Sequence, residues 1–320
     1  MHVIRGLINL PRLESGCALT IGNFDGVHRG HQSVIAKLSR KARSMNLPVV
    51  VMLFEPQPLE YFRPDSTPAR LCRLRDKVIL MAQLPVDFIM ILRFDQVLST
   101  LSPDEFVRRI LVDGLNTKYL VVGDDFRFGY RRLGDFELLR SLAARYRFVV
   151  ENTGSHSIDG QRVSSTLVRD ALARGDMDSA KRFLGRPFSI IGRVIQGKQK
   201  GRTIGFPTAN IALHRKNPPV RGVFAVTMSR FRDHEWPGVA NVGIRPTFGG
   251  EEIVYLEVHL FDFGLNLYGN CVEVHFFEKI RDEIRFDTVE ELKRQIQRDA
   301  IAARSILDRR METGGISPAE

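Results

Sequence analysis

The chain has 320 residues, 43% hydrophobic and 26% charged, which is enough for two packed cores and excludes an intrinsically disordered protein. Its net charge of +10 favours anionic partners, whether nucleic acid, an anionic membrane surface or phosphorylated small molecules, without choosing among them. Cys17, Cys72 and Cys271 form no Cys-x-x-Cys pair, and there is neither a span-length apolar stretch nor a secretory h-region. These features predict a soluble cytoplasmic protein whose cysteines are ordinary buried residues.

Through residue 185 the pattern alternates strand and helix. Apolar runs at 17–21, 48–54, 87–92, 119–122 and 147–150 have strand length, and amphipathic stretches at 31–45, 74–84, 103–111 and 135–146 lie between them. Ser102-Pro103-Asp104-Glu105 starts a helix, with an N-cap serine, proline at the first helical position and glutamate closing a capping box. The alternation predicts an α/β domain with a doubly wound parallel sheet, whose ligands bind beyond the strand carboxyl ends.

The stretch Gly22-Asn23-Phe24-Asp25-Gly26-Val27-His28-Arg29-Gly30-His31 lies at such an end. Its glycines let the backbone approach a ligand, its first-turn amides are unpaired donors, and His28 and His31 lie about a turn apart facing the same point. Phosphate is the expected ligand. After the next strand, Pro56 and Pro58 stiffen the Glu55-Pro56-Gln57-Pro58 loop, keep it from coiling into helix and make it a pocket wall. Gly123 to Gly129 brings Asp124, Asp125, Phe126 and Arg127 together, and Ser164, Ser165 and Thr166 begin a helix with Arg169 one turn on. Hydroxyls and a guanidinium suit a pyrophosphate.

Beyond Gly185-Arg186-Pro187-Phe188 the chain becomes strand-like, at 188–195, 222–228, 238–242, 253–261 and 271–277, which predicts a small antiparallel barrel or sandwich. A last helix begins at Thr288 with Glu291 in the capping-box position, and its stripe of Leu292, Ile296, Ala300, Ala303 and Leu307 should pack on the strands. Residues 311–320 are expected to be a loose tail. Trp236, before Pro237-Gly238, is expected in a turn. The stretch from Gly197 to Asn210 holds glycines and cations but is not a Walker loop, and Thr208 and Asn210 are hard oxygen donors of the kind that suits Mg2+. Period-two alternation puts Glu257 on one face with Tyr255 and His259, and Glu273 on one face with Cys271 and His275. Either glutamate could be a general base. No histidine spacing suggests zinc.

The whole chain, from about residue 5 to 309, resembles the bacterial bifunctional riboflavin kinase/FAD synthetases. The resemblance rests on Gly22 to His31, Phe54 to Pro58, Gly123 to Gly129 and Ser164 to Arg169 in the first half, and on Gly201 to Asn210, Asn241 to Thr247 and Glu257-Val258-His259 in the second. It implies a nucleotidylyltransferase domain at 1–185 that joins FMN to the AMP part of ATP, and a kinase barrel at 186–310 with a terminal helix that phosphorylates riboflavin, both with MgATP. His28 and His31 would act on ATP phosphates, with Gly22, Phe24, Asp25 and Gly30 around them and Ser164, Ser165, Thr166 and Arg169 on the pyrophosphate side. Pro56, Pro58, Asp125 and Arg245 would lie on the flavin side; many relatives have asparagine where Asp125 stands. In the barrel Gly201, Arg202, Thr203, Gly205, Phe206 and Pro207 would cover the nucleotide, Thr208 and Asn210 would hold Mg2+, and Glu257 would be the base. Small-molecule substrates and a monomer or weak homo-oligomer follow, with neither nucleic acid nor membrane as partner. A nucleic-acid-binding protein is disfavoured because the cations sit in glycine loops rather than in a basic arm. A nucleotidylyltransferase for another cofactor is disfavoured by the complete set of Thr208, Asn210 and Glu257.

Overall fold

The computed structural model describes residues 1–9, 13–154, 156–197, 205–213, 217–230, 234–246 and 252–312, without the side chains of 245, 246, 252, 253 and 311. The chain forms two compact units, one of residues 1–68 and 72–165, the other of 69–71 and 166–320.

The first unit is built on six parallel strands: β1 (His2–Arg5), β2 (Cys17–Ile21), β3 (Val49–Glu55), β4 (Phe88–Arg93), β5 (Thr117–Gly123) and β6 (Val149–Thr153), in the order β1-β4-β3-β2-β5-β6. Its helices are α1 (Arg29–Ser44), α2 (Pro58–Phe62), α3 (Leu74–Met81), α4 (Gln96–Thr100), α5 (Pro103–Phe106) and α6 (Phe136–Tyr146). Successive strand residues point to opposite faces, so the apolar runs feed two cores. Leu19, Val50, Met52 and Met90 pack with Phe106, Leu111, Leu139 and Leu142 on one side. Ala18, Val51, Ile89 and Val121 pack with Ile35, Leu38, Ala42 and Met81 on the other. The doubly wound sheet is as expected.

Several local expectations need correction. β1 escapes sequence reading because it is a four-residue edge strand with only Ile4 buried. Pro58 does not block helix; it occupies the first turn of α2, where a missing N–H costs nothing, behind a capping box of Gln57 and Glu60. The capping box at Ser102 and Glu105 forms, but after α5 the chain continues as a π-helical stretch, Val107–Val112. The last sheet strand starts at Val149, because Arg147 takes the left-handed conformation that ends α6.

In the second unit α7 (Ser165–Arg174) and α8 (Met177–Leu184) precede a closed barrel of β9 (Phe188–Ile195), β10 (Ala209–Ala212), β11 (Gly222–Ser229), β12 (Glu235–Pro246), β13 (Glu252–Leu260) and β14 (Cys271–Arg281); the short pair Ser157–Ile158 and Gln161–Arg162 belongs to the first unit. The barrel order is β10-β13-β12-β11-β14-β9, with β9 and β10 closing the ring. On β13, Val254, Leu256, Val258 and Leu260 are buried while Tyr255, Glu257 and His259 are half-buried, the alternation of a filled barrel. The terminal helix α9 (Val289–Glu312) starts at the expected Thr288–Glu291 box and lays Ala300, Ala303, Ile306 and Leu307 on Val223, Ala225, Val239 and Phe277. It runs two residues into the expected tail, and 313–320 lie outside the described residues. Trp236 is not in a turn: β12 begins at Glu235, and Trp236 pairs with Met228 and packs on Phe263 at 5.0 Å. No helix among the described residues is long and apolar enough to cross a membrane.

Candidate active sites

The sheet order of the first unit reverses at β2. From β2 the chain steps outward through β3 and β4 on one side and returns to β5 and β6 on the other, so the carboxyl ends of β2 and β5 flank the crevice where ligands bind in such sheets. The Gly22 amide still joins the ladder, donating to Met52 O at 3.2 Å. The chain then turns through three left-handed residues, Phe24 (φ 47°), Gly26 (φ 80°) and Val27 (φ 44°). A β-branched residue there is strained, a condition concentrated at functional sites. His28 caps α1, its Nδ1 accepting the His31 N–H at 3.3 Å, and the two imidazoles stack with centroids 3.6 Å apart. Gly30 is tightly packed: a Cβ would lie 3.1 Å from the His28 ring and 3.3 Å from the Val163 carbonyl, so both would have to give. His31 Nδ1 is buried with no hydrogen-bond partner. Burial, reinforced by His28 and Lys77, holds the His31 pKa well below the usual value. His31 is therefore a neutral imidazole at physiological pH.

Two supports of this turn and one of the Gly123–Gly129 loop were not given a role from the sequence. Lys77, on α3 and only 1% exposed, donates to the Asn23 carbonyl at 2.5 Å. Cys72 is not an ordinary core residue, since its Sγ accepts the Gly26 N–H at 3.1 Å and its own N–H donates to Asp25 Oδ1 at 3.2 Å. Arg162 pairs with Asp124 at 2.5 Å and approaches Asp125 at 3.5 Å. The signal for Lys77 was present: it interrupts the apolar stripe of Leu74, Val78 and Met81.

Among the expected residues, Asp25 is 3% exposed and holds the Cys72 amide, while its carbonyl accepts the Ser165 hydroxyl at 2.9 Å. Ser164 is half-buried, and Asp125 is exposed. Arg169, in the second unit, donates to Ala69 O at 2.6 Å, and Thr166 beside it is exposed. Pro56 follows a cis peptide bond, and near Pro58 the rings of Phe54, Tyr61, Phe62 and Phe94 form a partly exposed cluster with centroids 5.2–5.8 Å apart.

In the barrel, Asn210 on β10 and Asn241 on β12 are both in direct register with Glu257 on β13, so the carboxylate stands between two amides. Gly197 makes this possible, because a Cβ there would collide with the Asn210 amide. His259 Nδ1 lies 2.9 Å from Pro207 O and its ring meets Phe206 at 5.3 Å, which fixes the chain leading to Thr208. A cavity of about 470 Å3 is lined by Pro207, Thr208, Val258, Leu260, Phe263 and Tyr268. Gly205 is exposed with φ 88°. Gly201, Arg202, Thr203 and the Arg245 side chain lie outside the described residues. Glu273 is differently engaged: His275 lies 3.3 Å from Glu273 and 3.4 Å from Glu235. Burial opposes the His275 cation, but the two carboxylates outweigh it and raise its pKa to about 9. Glu273 is thereby held as an ion-pair partner, below the usual carboxylate range despite its burial.

A switch-point crevice with a phosphate-facing helix start, joined in one chain to a closed barrel with a carboxylate between amides, defines a two-part transferase of phosphate-bearing small molecules. The family model described as FAD synthetase matches residues 10–167, and that described as riboflavin kinase matches residues 184–307. A bifunctional riboflavin kinase/FMN adenylyltransferase from Haemophilus influenzae is 49% identical over 96% of this chain and the whole of that protein. One from Escherichia coli K12 is 49% identical over 95% of this chain and 97% of its own. The chain belongs to the bifunctional riboflavin kinase/FMN adenylyltransferase family, transferases with both activities. A crystal structure titled as a macrolide-efflux protein from Streptococcus pneumoniae has the same fold, with a TM-score of 0.80 and 29% identity over 94% of this chain and 98% of that one.

Proposed function

We propose that the first unit adenylylates FMN at the β2–α1 turn and that the barrel phosphorylates riboflavin at Glu257, with MgATP as co-substrate of both steps. The observation that carries the kinase reading is the placement of Glu257 between Asn210 and Asn241, with a nucleotide-sized cavity reaching Thr208. In that step Glu257 takes the proton of the ribityl 5'-hydroxyl as its oxygen bonds to the γ-phosphorus and ADP leaves. Thr208 and Asn210 would hold Mg2+ through the hydroxyl and amide oxygens; hard oxygen donors of this kind suit an ion that keeps waters and phosphate oxygens as its other ligands. Glycines 201 and 205 with Arg202, Thr203, Phe206 and Pro207 would cover that nucleotide.

In the first unit an FMN phosphate oxygen attacks the α-phosphorus of ATP and pyrophosphate leaves, so catalysis is positioning plus charge stabilisation and needs no enzyme nucleophile. His28, neutral His31 and the α1 amides meet the phosphates, with Ser164, Ser165, Thr166 and Arg169 on the pyrophosphate side. The aromatic cluster by Pro56 and Pro58 offers faces for the flavin ring, and Asp125, paired loosely with Arg162, borders the FMN phosphate. Arg245 is assigned to the flavin side of the barrel. We place the enzyme in the cytoplasm, acting on small molecules without nucleic acid.

Two variants of the full chain test the division. Glu257→Gln should abolish FMN formation from riboflavin and leave FMN-to-FAD conversion near normal, whereas His28→Ala should stop synthesis at FMN. Equal loss of both activities in either variant would refute separate sites.

A further inference from the structure

Asn241, Glu257 and Asn210 form one row across three adjacent strands, on the face turned away from the barrel interior. Residues directly opposite each other in an antiparallel ladder have Cβ atoms roughly 4.5–5.5 Å apart. The orientation of the Asn241 amide is settled by its neighbours. Its Nδ2 donates to Glu283 Oε1 at 3.1 Å and to the Tyr255 hydroxyl oxygen at 3.2 Å, and a carboxylate can only accept, so nitrogen rather than oxygen faces Glu283. The Tyr255 hydroxyl donates to the same Glu283 oxygen at 2.6 Å. Gly243 leaves space for this network, since a Cβ there would collide with both the Glu283 carboxylate and the Tyr255 hydroxyl.

With both amide hydrogens used, Asn241 Oδ1 is left buried and without a hydrogen-bond partner. Such an orphaned acceptor is rare and calls for a reason. An ionised Glu257 cannot supply a donor, because carboxylate and amide oxygen are both acceptors. A protonated Glu257 can.

We propose that Asn241 is a positioning residue of the kinase step, its amide oxygen accepting the O–H that Glu257 gains from the ribityl 5'-hydroxyl. The inference rests on Glu257 as the general base. As the bond from the 5'-oxygen to the γ-phosphorus forms and the bond from that phosphorus to the bridging oxygen of ADP breaks, the 5'-proton passes to Glu257. The new carboxylic O–H finds its acceptor already in place. The proton returns to water as FMN and ADP leave. Glu283 and Tyr255, by holding Nδ2, keep the amide from rotating out of this role. Among the described residues, the other titratable groups on the face include Tyr255 and His259 on β13, Glu283 after β14, and Arg281 on β14, which lies in the same row through Val223 and pairs with Asp299 of α9. β10 presents Asn210 and no charged side chain, and β12 presents Asn241 and then Arg245, whose side chain is outside the described residues.

The test is FMN formation by the full chain at neutral pH, with Asn241→Leu beside the unaltered protein. kcat should fall about tenfold while KM for riboflavin and ATP stays within about twofold, since the lost hydrogen bond exists only once the proton has moved. FMN-to-FAD conversion should be unaffected. An unchanged kcat, or a lowered kcat accompanied by raised KM values, would overturn the proposal. Should the leucine variant not fold, Asn241→Ala is read in the same way, and the same two outcomes overturn the proposal. Glu257→Gln separates the two levels. If it still makes FMN, the general-base reading fails and takes this role with it; if it is inactive while Asn241→Leu keeps the original kcat, only the role of Asn241 fails.

Discussion

Lys77 occupies a position where the α3 stripe calls for an apolar side chain, and it is 1% exposed. A buried ammonium persists only where something needs its charge or its donors, and here the Asn23 carbonyl takes one of them at 2.5 Å. That carbonyl begins the left-handed turn that aims His28 and His31. The same cation helps keep His31 neutral. Lys77→Met should therefore lower kcat/KM for FMN adenylylation by about tenfold or more, the scale of a lost charge-assisted hydrogen bond, with riboflavin phosphorylation intact. Removing the cation favours His31 protonation, so the imidazole pKa should rise, which NMR titration of His31 reads directly. A normal adenylylation rate with an unmoved His31 titration would show that the turn does not depend on Lys77.

The elements were legible where periodicity is strong and illegible where it is short or overridden. The sheet strands β2 to β5 read as uninterrupted apolar runs, and the boxes at Ser102 and Thr288 are local hydrogen-bond patterns that tertiary context did not alter. β10 was hidden because four residues within a polar, glycine-rich stretch carry almost no pattern, and Trp236 was misplaced because Pro237-Gly238 signals a turn that the β11 and β13 ladders override. The candidate site was legible in its motif residues. It was illegible in Cys72, Lys77 and Arg162, which reach the motif from distant segments. At the level of the barrel wall, the Glu235–His275–Glu273 cluster makes stability depend on pH. The folded His275 pKa of about 9 stands above the ordinary value near 6.5, so its contribution is complete below about pH 6.5 and is lost as pH rises through 9. With the imidazole one-fifth exposed, the loss is of the order of 2–3 kcal/mol. Urea unfolding of the barrel at pH 6.5 and 9.5 should show it, and in His275→Gln the difference between the two pH values should largely vanish.

Across the whole molecule, the adenylylation proposed at the β2–α1 turn and the phosphorylation proposed at Glu257 are linked by FMN, the product of one and the substrate of the other. If FMN formed in the barrel is free to leave, the two units need not belong to the same chain. Mixing the Glu257→Gln and His28→Ala variants with riboflavin and MgATP should then yield FAD, although neither variant alone produces it. An FAD yield no greater than that of the separate proteins would mean that FMN must be used within the chain that made it.

β10 is the shortest stave of the barrel, and it alone joins β13 back to β9. A closed ring offers no unpaired strand edge, and an unpaired edge is the usual template for strand-to-strand aggregation. The segment that carries Asn210 thus guards solubility as well as chemistry: any change that detaches it bares the edges of β9 and β13 together, so a lesion in the nucleotide loop can surface first as a protein that precipitates.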